Sequence, residues 1–256
     1  MGYIGRRIGL SQNNGDSNPG ASNGAVGGGL LDLFTHGQFE RDGKIYNFDG
    51  LPELGITATG GVISEYLDGG AAYKAHTFTT TGVFNVSRIG SFGGGIEYLL
   101  IGGGGSGGVH AGGGGGAGAF RTNLATYPAP SGALSVSGSP TTPVSYTITV
   151  GGGGANGEGT SRGENGSDTS ISGPDITTLT SPGGGGGGGQ SPTPNRGGSA
   201  GASGGGGAGN GNSPGGPGTS SPIVLGYSGG LGQDNGGDNT AGGGGGGAGG
   251  AGGNGN

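Results

Sequence analysis

Glycine-flanked serines are the residues of this chain whose spacing comes closest to a catalytic pattern. The nucleophile-elbow motif G-x-S-x-G, which holds a reactive serine on a strand-to-helix turn, occurs at 104–108, 197–201 and 201–205. Glycine provides 81 of the 256 residues, so composition alone generates these matches. No strand–helix pattern with a histidine and an acid accompanies them. We therefore expect no catalytic residue and no enzyme.

Candidate metal ligands are few. The run GGLGQD at 229–234 matches the start of a calcium-binding nonapeptide, but it occurs once, and stacked repeats complete such a site. Asp234 and Asp238 remain an alternative pair for a surface cation. The histidines are dispersed along the chain, at His36, His76 and His110. Because cysteine is absent, disulfides and thiolate metal sites are excluded. We expect neither a metal nor a cofactor.

Charge and hydropathy exclude further classes of protein. The net charge is −6 and the nine Lys and Arg residues are scattered, whereas a nucleic-acid-binding protein carries clustered basic residues. No apolar run approaches the roughly 18 residues of a membrane span, so we expect no membrane insertion. The stretch MGYIGRRIGLSQ lacks the apolar centre of a conventional signal peptide.

Strand signals are concentrated between residues 75 and 150. The 75–86 stretch is rich in Thr, Phe and Val, and 95–101 is a second short apolar stretch. In 145–150, apolar residues alternate with Ser and Thr, the period of a half-buried strand. The 30–34 stretch fits one helical turn as well as a strand. Since no stretch has a sustained 3.6-residue period, the sequence predicts a mainly β fold with little α-helix.

Long glycine runs have three available structures. Collagen needs glycine at every third position with abundant proline, and here glycine occurs in unbroken runs such as 183–189. A disordered linker remains one alternative. The other is a bundle of left-handed polyglycine-II helices with three residues per turn, which exchange backbone hydrogen bonds because no Cβ keeps them apart. We predict the bundle, with helices at 102–118, 151–159, 183–189, 197–211, 215–218, 226–237 and 242–255.

Breaks between the glycine runs are rich in Ser, Pro, Asn and Asp, which favour turns. The chain is expected to reverse at such breaks, including QSPTPNR (190–196), NSPGGPG (212–218) and GQDNGGDN (232–239).

Four stretches, in this order, carry a resemblance to a known family: HTFTTTGVFNV (76–86), IEYLLIGGGGSGG (96–108), HAGGGGGAGAFR (110–121) and SYTITVGGGGANG (145–157). Together they resemble the glycine-rich domain of bacteriophage tail fibre and other virion appendage proteins. The remainder is similar in composition to tail-fibre adhesins built from polyglycine-II helices with variable loops at one end.

Composition and strand signals divide the chain into modules, and the resemblance covers only the part from residue 76 onward. Residues 1–29 are expected to form an extended arm and 30–75 an attachment module. A β-rich module follows at 76–150, with the first glycine tract inserted, and 151–256 is expected to be the polyglycine-II bundle. The resemblance implies that the chain is a virion tail or fibre component, assembled in the host cytoplasm and acting outside the cell.

In that interpretation the loops of the bundle contact the host surface, a glycan or a protein. Tyr can stack on a sugar ring, while Asn, Gln, Asp and Arg can bond its hydroxyls. The alternative for each residue is an ordinary solvated turn position. The candidate receptor-binding residues are Tyr127, Asn156, Arg162, Asn195, Arg196, Tyr227, Gln233, Asp234 and Asn235.

Other partners and functions remain open at this point. The resemblance implies a homotrimer, and attachment to other virion tail or fibre proteins through the N-terminal region. A structural extracellular or matrix filament protein is the main alternative function, and an ice-binding protein is the third. The breaks all differ in sequence, which favours recognition over a repetitive filament.

Overall fold

The computed structural model describes residues 6–8, 29–31, 55–68, 71–124, 132–190, 193–219, 224–236 and 239–256. The described part is mainly β, and its one helical element is a short 3₁₀ turn at Thr193–Asn195. The prediction of a mainly β fold with little α-helix is therefore confirmed. The 30–34 stretch lies largely outside the described residues.

The chain divides into two units, one of Met1–Thr57 with Ile89–Gly93 and the other of Ala58–Arg88 with Gly94–Asn256. In the first unit, β1 (Arg6–Ile8) pairs antiparallel with β2 (Gly29–Leu31). All of the glycine-rich segments lie in the second unit. The predicted module boundaries after residues 29, 75 and 150 stay predictions.

The other strands are short. In chain order they are β3 (Thr57–Thr59), β4 (Val62–Asp68), β5 (Ala71–Thr77), β6 (Gly82–Arg88), β7 (Gly95–Ile96), β8 (Leu99–Ile101), β9 (Phe120–Thr122), β10 (Leu134–Ser135), β11 (Val144–Thr149), β12 (Thr169–Gly173), β13 (Ile176–Ser181), β14 (Gln233–Asp234) and β15 (Thr240–Ala241). Five of them form one sheet in the order β13-β12-β11-β6-β3, and the rest pair two by two as β4-β5, β7-β10, β8-β9 and β14-β15.

The five-stranded sheet carries the largest buried side chains. Tyr146 of β11 and Val86 of β6 are fully buried, and Phe84 and Ile171 are nearly so. Tyr146 lies directly opposite Phe84 in the antiparallel register, and their ring centroids are 6.3 Å apart. Directly opposed residues share a face of the sheet, so this pair forms the centre of a small apolar core.

The predicted strands are found with changed limits. The 145–150 prediction corresponds to β11, which the alternation identified. The 75–86 stretch is divided between β5 and β6 by a bend at 79–81, and 95–101 is divided between β7 and β8. The β12-β13 hairpin was missed, because composition assigned 169–181 to the glycine-rich bundle.

Most of the glycine-rich sequence forms extended segments that run side by side. Their backbone hydrogen bonds recur at every third residue. In the 102–108 segment, the N–H groups of Gly102, Gly105 and Gly108 donate to carbonyls of the 112–119 segment at 2.9 Å. The next residue in each case, as at Gly103 and Ser106, donates to the 161–168 segment instead. The third position, at Gly104 and Gly107, is exposed.

The 182–189 segment lies at the centre of this arrangement. Its glycines at 183–189 are all buried. The N–H groups of Gly184 and Gly187 donate to the 102–108 segment at 2.9 Å, and those of Gly185 and Gly188 donate to the 203–209 segment at 2.8 and 2.9 Å. Each segment therefore binds different neighbours in rotation along its length, unlike a β-strand, which alternates between two sides.

Close approach of these backbones requires glycine. A Cβ added at Gly184, Gly186 or Gly187 would come within 3.0 Å of a carbonyl oxygen of an adjacent segment. The neighbour in contact is backbone in each case, so it cannot rotate away. Positions on the outer side differ, since a Cβ at Gly152 would meet nothing within 4 Å.

The structure differs from the predictions at one tract and at one reversal. The predicted 197–211 tract is two antiparallel segments, because Gly205 and Ala208 donate to carbonyls of Ser199 and Arg196. The chain reverses between them near Ala202, where small residues suffice for the turn. The predicted 215–218 tract lies within a bonded segment at 213–219, and the reversal predicted for 212–218 occurs just before that segment, at 210–212.

Candidate functional site

The described glycine segments run between one end, where β8, β9, β11, β12 and β13 lie, and an opposite end. Three of them begin where strands stop: 102–108 follows β8, 151–155 follows β11 by one residue, and 182–189 follows β13. The segments 112–119 and 161–168 then lead back into β9 and β12. The turns between an outgoing and a returning segment consequently lie away from these five strands.

Hydrogen-bond register places the later turns at the same end. Because Gly185 and Gly188 donate to Ser203 and Gly206, the 203–209 segment runs parallel to 182–189 and ends beside it. The N–H of Gly232 donates to the carbonyl of Ser213, which brings the connection after 232 beside the connection before 213. We call the connections at this end the distal turns: 109–111, 156–160, 190–195, 210–212 and 233–240.

Seven of the nine candidate receptor-binding residues lie in the distal turns or within two residues of them. These are Asn156, Arg162, Asn195, Arg196, Gln233, Asp234 and Asn235. Tyr227 lies near the opposite end, where its N–H donates to Gly247 and its carbonyl accepts from Gly204. Tyr127 lies outside the described residues. Whether any of the nine binds a receptor stays a prediction.

Both candidate arginines form hydrogen bonds within the protein. Arg162 Nη2 donates to the carbonyl of Pro194 at 2.7 Å, and Nη1 donates to Ser199 Oγ at 3.2 Å. Arg196 Nε donates to the carbonyl of Gln190 at 3.0 Å. Arg162 thereby connects the 156–160 turn to the 190–195 turn. Arg196, just after the 190–195 turn, bonds back to its first residue, Gln190.

Asp234 connects two other distal turns. Its Oδ2 accepts from the N–H of Gly211 at 3.2 Å and its Oδ1 accepts from the N–H of Gly236 at 3.1 Å. In return, the N–H of Asp234 donates to Asn212 Oδ1 at 2.9 Å. These bonds give the carboxylate a structural role, in contrast to the surface cation considered for it. Asp238 lies outside the described residues.

The side chains of the remaining distal candidates are not bonded to other described residues. Among the described residues, the amide groups of Asn156, Asn195, Gln233 and Asn235 have no hydrogen-bond partner, and Asn156 and Asn235 are exposed. An amide offers one acceptor and two donors. The distal turns thus combine fixed charged residues with unoccupied amides.

Two further distal residues were missed as site candidates. His110 (φ 55°) and Asn212 (φ 52°) are the described non-glycine residues with positive φ. Such conformations cost free energy and cluster at functional sites. Asn tolerates this region better than His does, because its short polar side chain can bond locally. The Asn-Gly-Asn sequence at 210–212 was a signal for Asn212, whereas no sequence pattern marked His110.

A cluster of polar groups lies at the five-stranded sheet, on the end opposite the distal turns. Tyr146 Oη accepts from the N–H of Ser137 at 2.7 Å and donates to Asp175 Oδ2 at 2.9 Å, and Ser137 Oγ donates to the same carboxylate. Burial raises the pKa of Tyr146. The hydrogen bond from Ser137, and next the one from Tyr146, lower the pKa of Asp175.

Of the residues considered for chemistry, Ser106, Ser199 and His76 have structural contacts, whereas Ser203 Oγ is buried without a hydrogen-bond partner among the described residues. Ser106 Oγ donates to the carbonyl of Ala155 at 2.6 Å and accepts from the N–H of Glu164 at 2.9 Å. His76 Nδ1 lies 2.8 Å from the carbonyl oxygen of Gly60 and its ring meets Phe84 edge-on. His36 lies outside the described residues.

Neither a metal site nor a membrane span is found within the described part of the chain. No three His, Asp or Glu residues there are grouped so as to hold a metal ion. No described helix is long and apolar enough to cross a membrane.

Comparison with known proteins gives one match. A family model described as a glycine-rich domain matches residues 79–256. No significant match was found among curated proteins or among solved structures.

Proposed function

The chain belongs to the glycine-rich domain family through residues 79–256, and on that premise we propose that it is a non-enzymatic structural component of a bacteriophage tail or virion fibre. Its distal turns recognise the host surface. The glycine segments and the hydrogen bonds between them are here called the glycine array. The observation that carries this proposal is that polar turns of differing sequence lie together at one end of the glycine array.

We further propose that the glycine segments are polyglycine-II helices. That helix has three residues per turn, so successive N–H groups point in three directions, which accounts for hydrogen bonds recurring at every third residue. Positive φ among the described glycines occurs only at Gly60, Gly61, Gly93, Gly138, Gly159, Gly211 and Gly236, all of them outside the segments. Glycine is used in the segments for close packing rather than for a backbone with positive φ.

Such a bundle suits recognition because scaffold and contact residues are separate. Each backbone hydrogen bond contributes only about 1 kcal/mol net, so rigidity depends on the many bonds between neighbouring segments. The turns take little part in that network and can change in sequence at low cost. The strands fix the starting points of the segments, which sets the spacing of the turns.

The ligand proposed for the distal turns is a host cell-surface glycan or protein. The unoccupied amides of Asn156, Gln233 and Asn235 supply donors and acceptors for sugar hydroxyls or for a peptide backbone. The chain acts on the virion, outside the cell, as a homotrimer attached through its N-terminal region to other tail or fibre proteins.

A binding experiment with intact cells tests the function. A triple variant of the distal amides, Asn156→Ala, Gln233→Ala and Asn235→Ala, is compared with wild type and with Tyr227→Ala, an exposed residue near the other end. We expect wild type and Tyr227→Ala to bind a susceptible bacterium and the triple variant to lose binding. Periodate treatment of the cells separates a glycan receptor from a protein receptor.

Two results would contradict the proposal. One is loss of binding in Tyr227→Ala with retention in the triple variant. The other is self-assembly into filaments with no binding to any bacterium tested, which would favour the matrix filament protein.

A further inference from the structure

Five Asn-Gly dipeptides lie in the described part of the chain, and they differ in how their backbone is bonded. They are Asn156–Gly157, Asn165–Gly166, Asn210–Gly211, Asn235–Gly236 and Asn254–Gly255. Asn14–Gly15 and Asn23–Gly24 lie outside the described residues.

An Asn-Gly pair can modify itself without an enzyme. The backbone nitrogen of the glycine attacks Cγ of the asparagine side chain, a nitrogen–carbon bond forms, and the Cγ–Nδ2 bond breaks as ammonia leaves. Water then opens the resulting succinimide ring to aspartate or isoaspartate. The absence of a glycine Cβ makes the attack sterically easy. The nitrogen must lose its proton and turn towards Cγ, so a hydrogen bond from that N–H to a fixed acceptor opposes the reaction.

Two of the five pairs are held within the glycine array. The N–H of Gly166 donates to the carbonyl of Gly184 at 2.9 Å, and the N–H of Gly255 donates to the carbonyl of Leu231 at 2.8 Å. Their asparagine side chains are also bonded: Asn165 Oδ1 accepts from Gly186 at 2.8 Å, and Asn254 Oδ1 accepts from Leu231 at 2.9 Å. Both reacting groups are therefore restrained.

Two more pairs are restrained by one carboxylate. Asp234 accepts from the N–H groups of Gly211 and Gly236, through Oδ2 and Oδ1 respectively. A carboxylate acceptor strengthens each bond, and its negative charge also opposes removal of the proton. Asp234 thus protects Asn210 and Asn235 at the same time.

The fifth pair lacks this protection. Among the described residues, the N–H of Gly157 has no acceptor and the side chain of Asn156 has no partner. Asn156 is exposed. On either side of the pair, the N–H of Glu164 donates to the carbonyl of Ala155 and the N–H of Ser161 donates to the carbonyl of Glu158, so neither bond involves Gly157. Nothing in the array orients Gly157 away from the asparagine side chain.

We propose that Asn156 is a site of spontaneous deamidation in the folded protein. The modification converts a neutral amide on the distal turns into a carboxylate, two residues from Glu158. Where isoaspartate forms, it also lengthens the backbone of the 156–160 turn by one carbon. The inference stands on hydrogen bonding alone and does not depend on what the distal turns bind.

Peptide mass spectrometry of the aged, folded protein tests the site. The full chain is incubated at mildly alkaline pH, and the amide-to-acid conversion of each of the five pairs is followed with time. We expect Asn156 to convert about tenfold faster than the other four, the effect of restraints worth one or two hydrogen bonds. In a denatured sample the five pairs should convert at similar rates, since they share the same dipeptide.

A variant that cannot readily deamidate at position 156 tests whether the added negative charge comes from Asn156. Asn156→Gln should remove one of the acidic species that appear on ageing, as seen by ion exchange, because glutamine does not form the five-membered ring readily. Asp234→Ala should raise conversion at Asn210 and Asn235 and leave Asn156 unchanged. The proposal is overturned if any of the other four described pairs converts as fast as Asn156 in the folded wild type, or if Asn156→Gln ages like wild type.

Discussion

The phenol of Tyr146, fully buried in the sheet, donates a hydrogen bond of 2.9 Å to the exposed carboxylate of Asp175. Ser137 completes this cluster by donating to the same carboxylate and, through its N–H, to the phenol oxygen. These hydrogen bonds thus require an ionised Asp175 and a neutral Tyr146 together, at the sheet on the end opposite the distal turns. Stability should consequently depend on pH at both extremes.

The first prediction concerns acid. The folded-state pKa of Asp175 is lowered from its ordinary value of 3.8. Its contribution is therefore present above the unfolded pKa and is lost as the pH falls through the folded pKa. Denaturation midpoints measured across the acid range should fall less steeply for Asp175→Asn than for wild type. Glu97→Gln, which removes an exposed carboxylate that has no hydrogen-bond or ion-pair partner among the described residues, is the matched control and should keep the wild-type slope.

The second prediction concerns alkali. The pKa of Tyr146 is raised above 10.0 by burial. Its contribution is present below the unfolded pKa and is lost as the pH rises through the folded pKa. Tyr146→Phe should remove the alkaline loss while lowering stability at neutral pH, because the N–H of Ser137 loses its acceptor. An unchanged alkaline transition in the variant would contradict this assignment.

The third prediction concerns glycine packing. Gly187→Ala places a Cβ within 3.0 Å of the carbonyl oxygen of Gly113, so we expect destabilisation of about 3 kcal/mol or more, beyond ordinary overpacking. Gly152→Ala meets nothing within 4 Å and should be neutral or stabilising by about 0.4–1 kcal/mol through the unfolded state. Chemical denaturation measures the free energy of unfolding of each variant relative to wild type. Equal effects would mean that the segments are not in close contact.

The fourth prediction concerns strain in the distal turns. His110 has a φ of 55°, a region that costs a non-glycine residue about 1–2 kcal/mol. His110→Gly should recover part of that free energy in equilibrium unfolding, whereas His110→Ala should not. Asn212→Gly is expected to gain less, because Asn212 Oδ1 accepts from Asp234. A larger gain at Asn212 than at His110 would contradict the strain argument.

The fifth prediction concerns Asp234 as the link between two distal turns. Asp234→Ala removes the acceptor for the N–H groups of Gly211 and Gly236. Amide exchange at these two glycines should accelerate, with a loss of about 1 kcal/mol for an exposed hydrogen-bonded pair. The neighbouring Asn235→Ala is the control and should leave exchange at Gly211 unchanged. Acceleration spread over all segments would instead mean that Asp234 supports the whole fold.

Some of the structure follows from the sequence and some does not. The alternation in 145–150 identified β11 because burial on one face imposes a period of two. The β12-β13 hairpin was missed although Ile171, Ile176 and Leu179 mark its strands, since glycine runs on both sides dominated the composition. The reversal near Ala202 left no signal, because glycine, alanine and serine suit a turn and a packed segment equally well.

The candidate site, too, could be predicted only in part from the sequence. Asn156 and Asn235 were identified because turn residues interrupt the glycine runs. Their gathering at one end depends on segments of similar length that start from different strands, which composition does not reveal. The structural contacts of Arg162 and Asp234 depend on which turns are neighbours, and that follows only from the hydrogen-bond register.

Amide hydrogen exchange followed by mass spectrometry, across 102–256, tests the central claim most directly. A bonded glycine scaffold that carries turns at one end predicts slow exchange in the 102–108, 182–189 and 203–209 segments. Exchange in the distal turn at 156–160 should be fast. Uniformly fast exchange across the glycine segments would contradict the scaffold, and with it the presentation of the distal turns as a recognition surface.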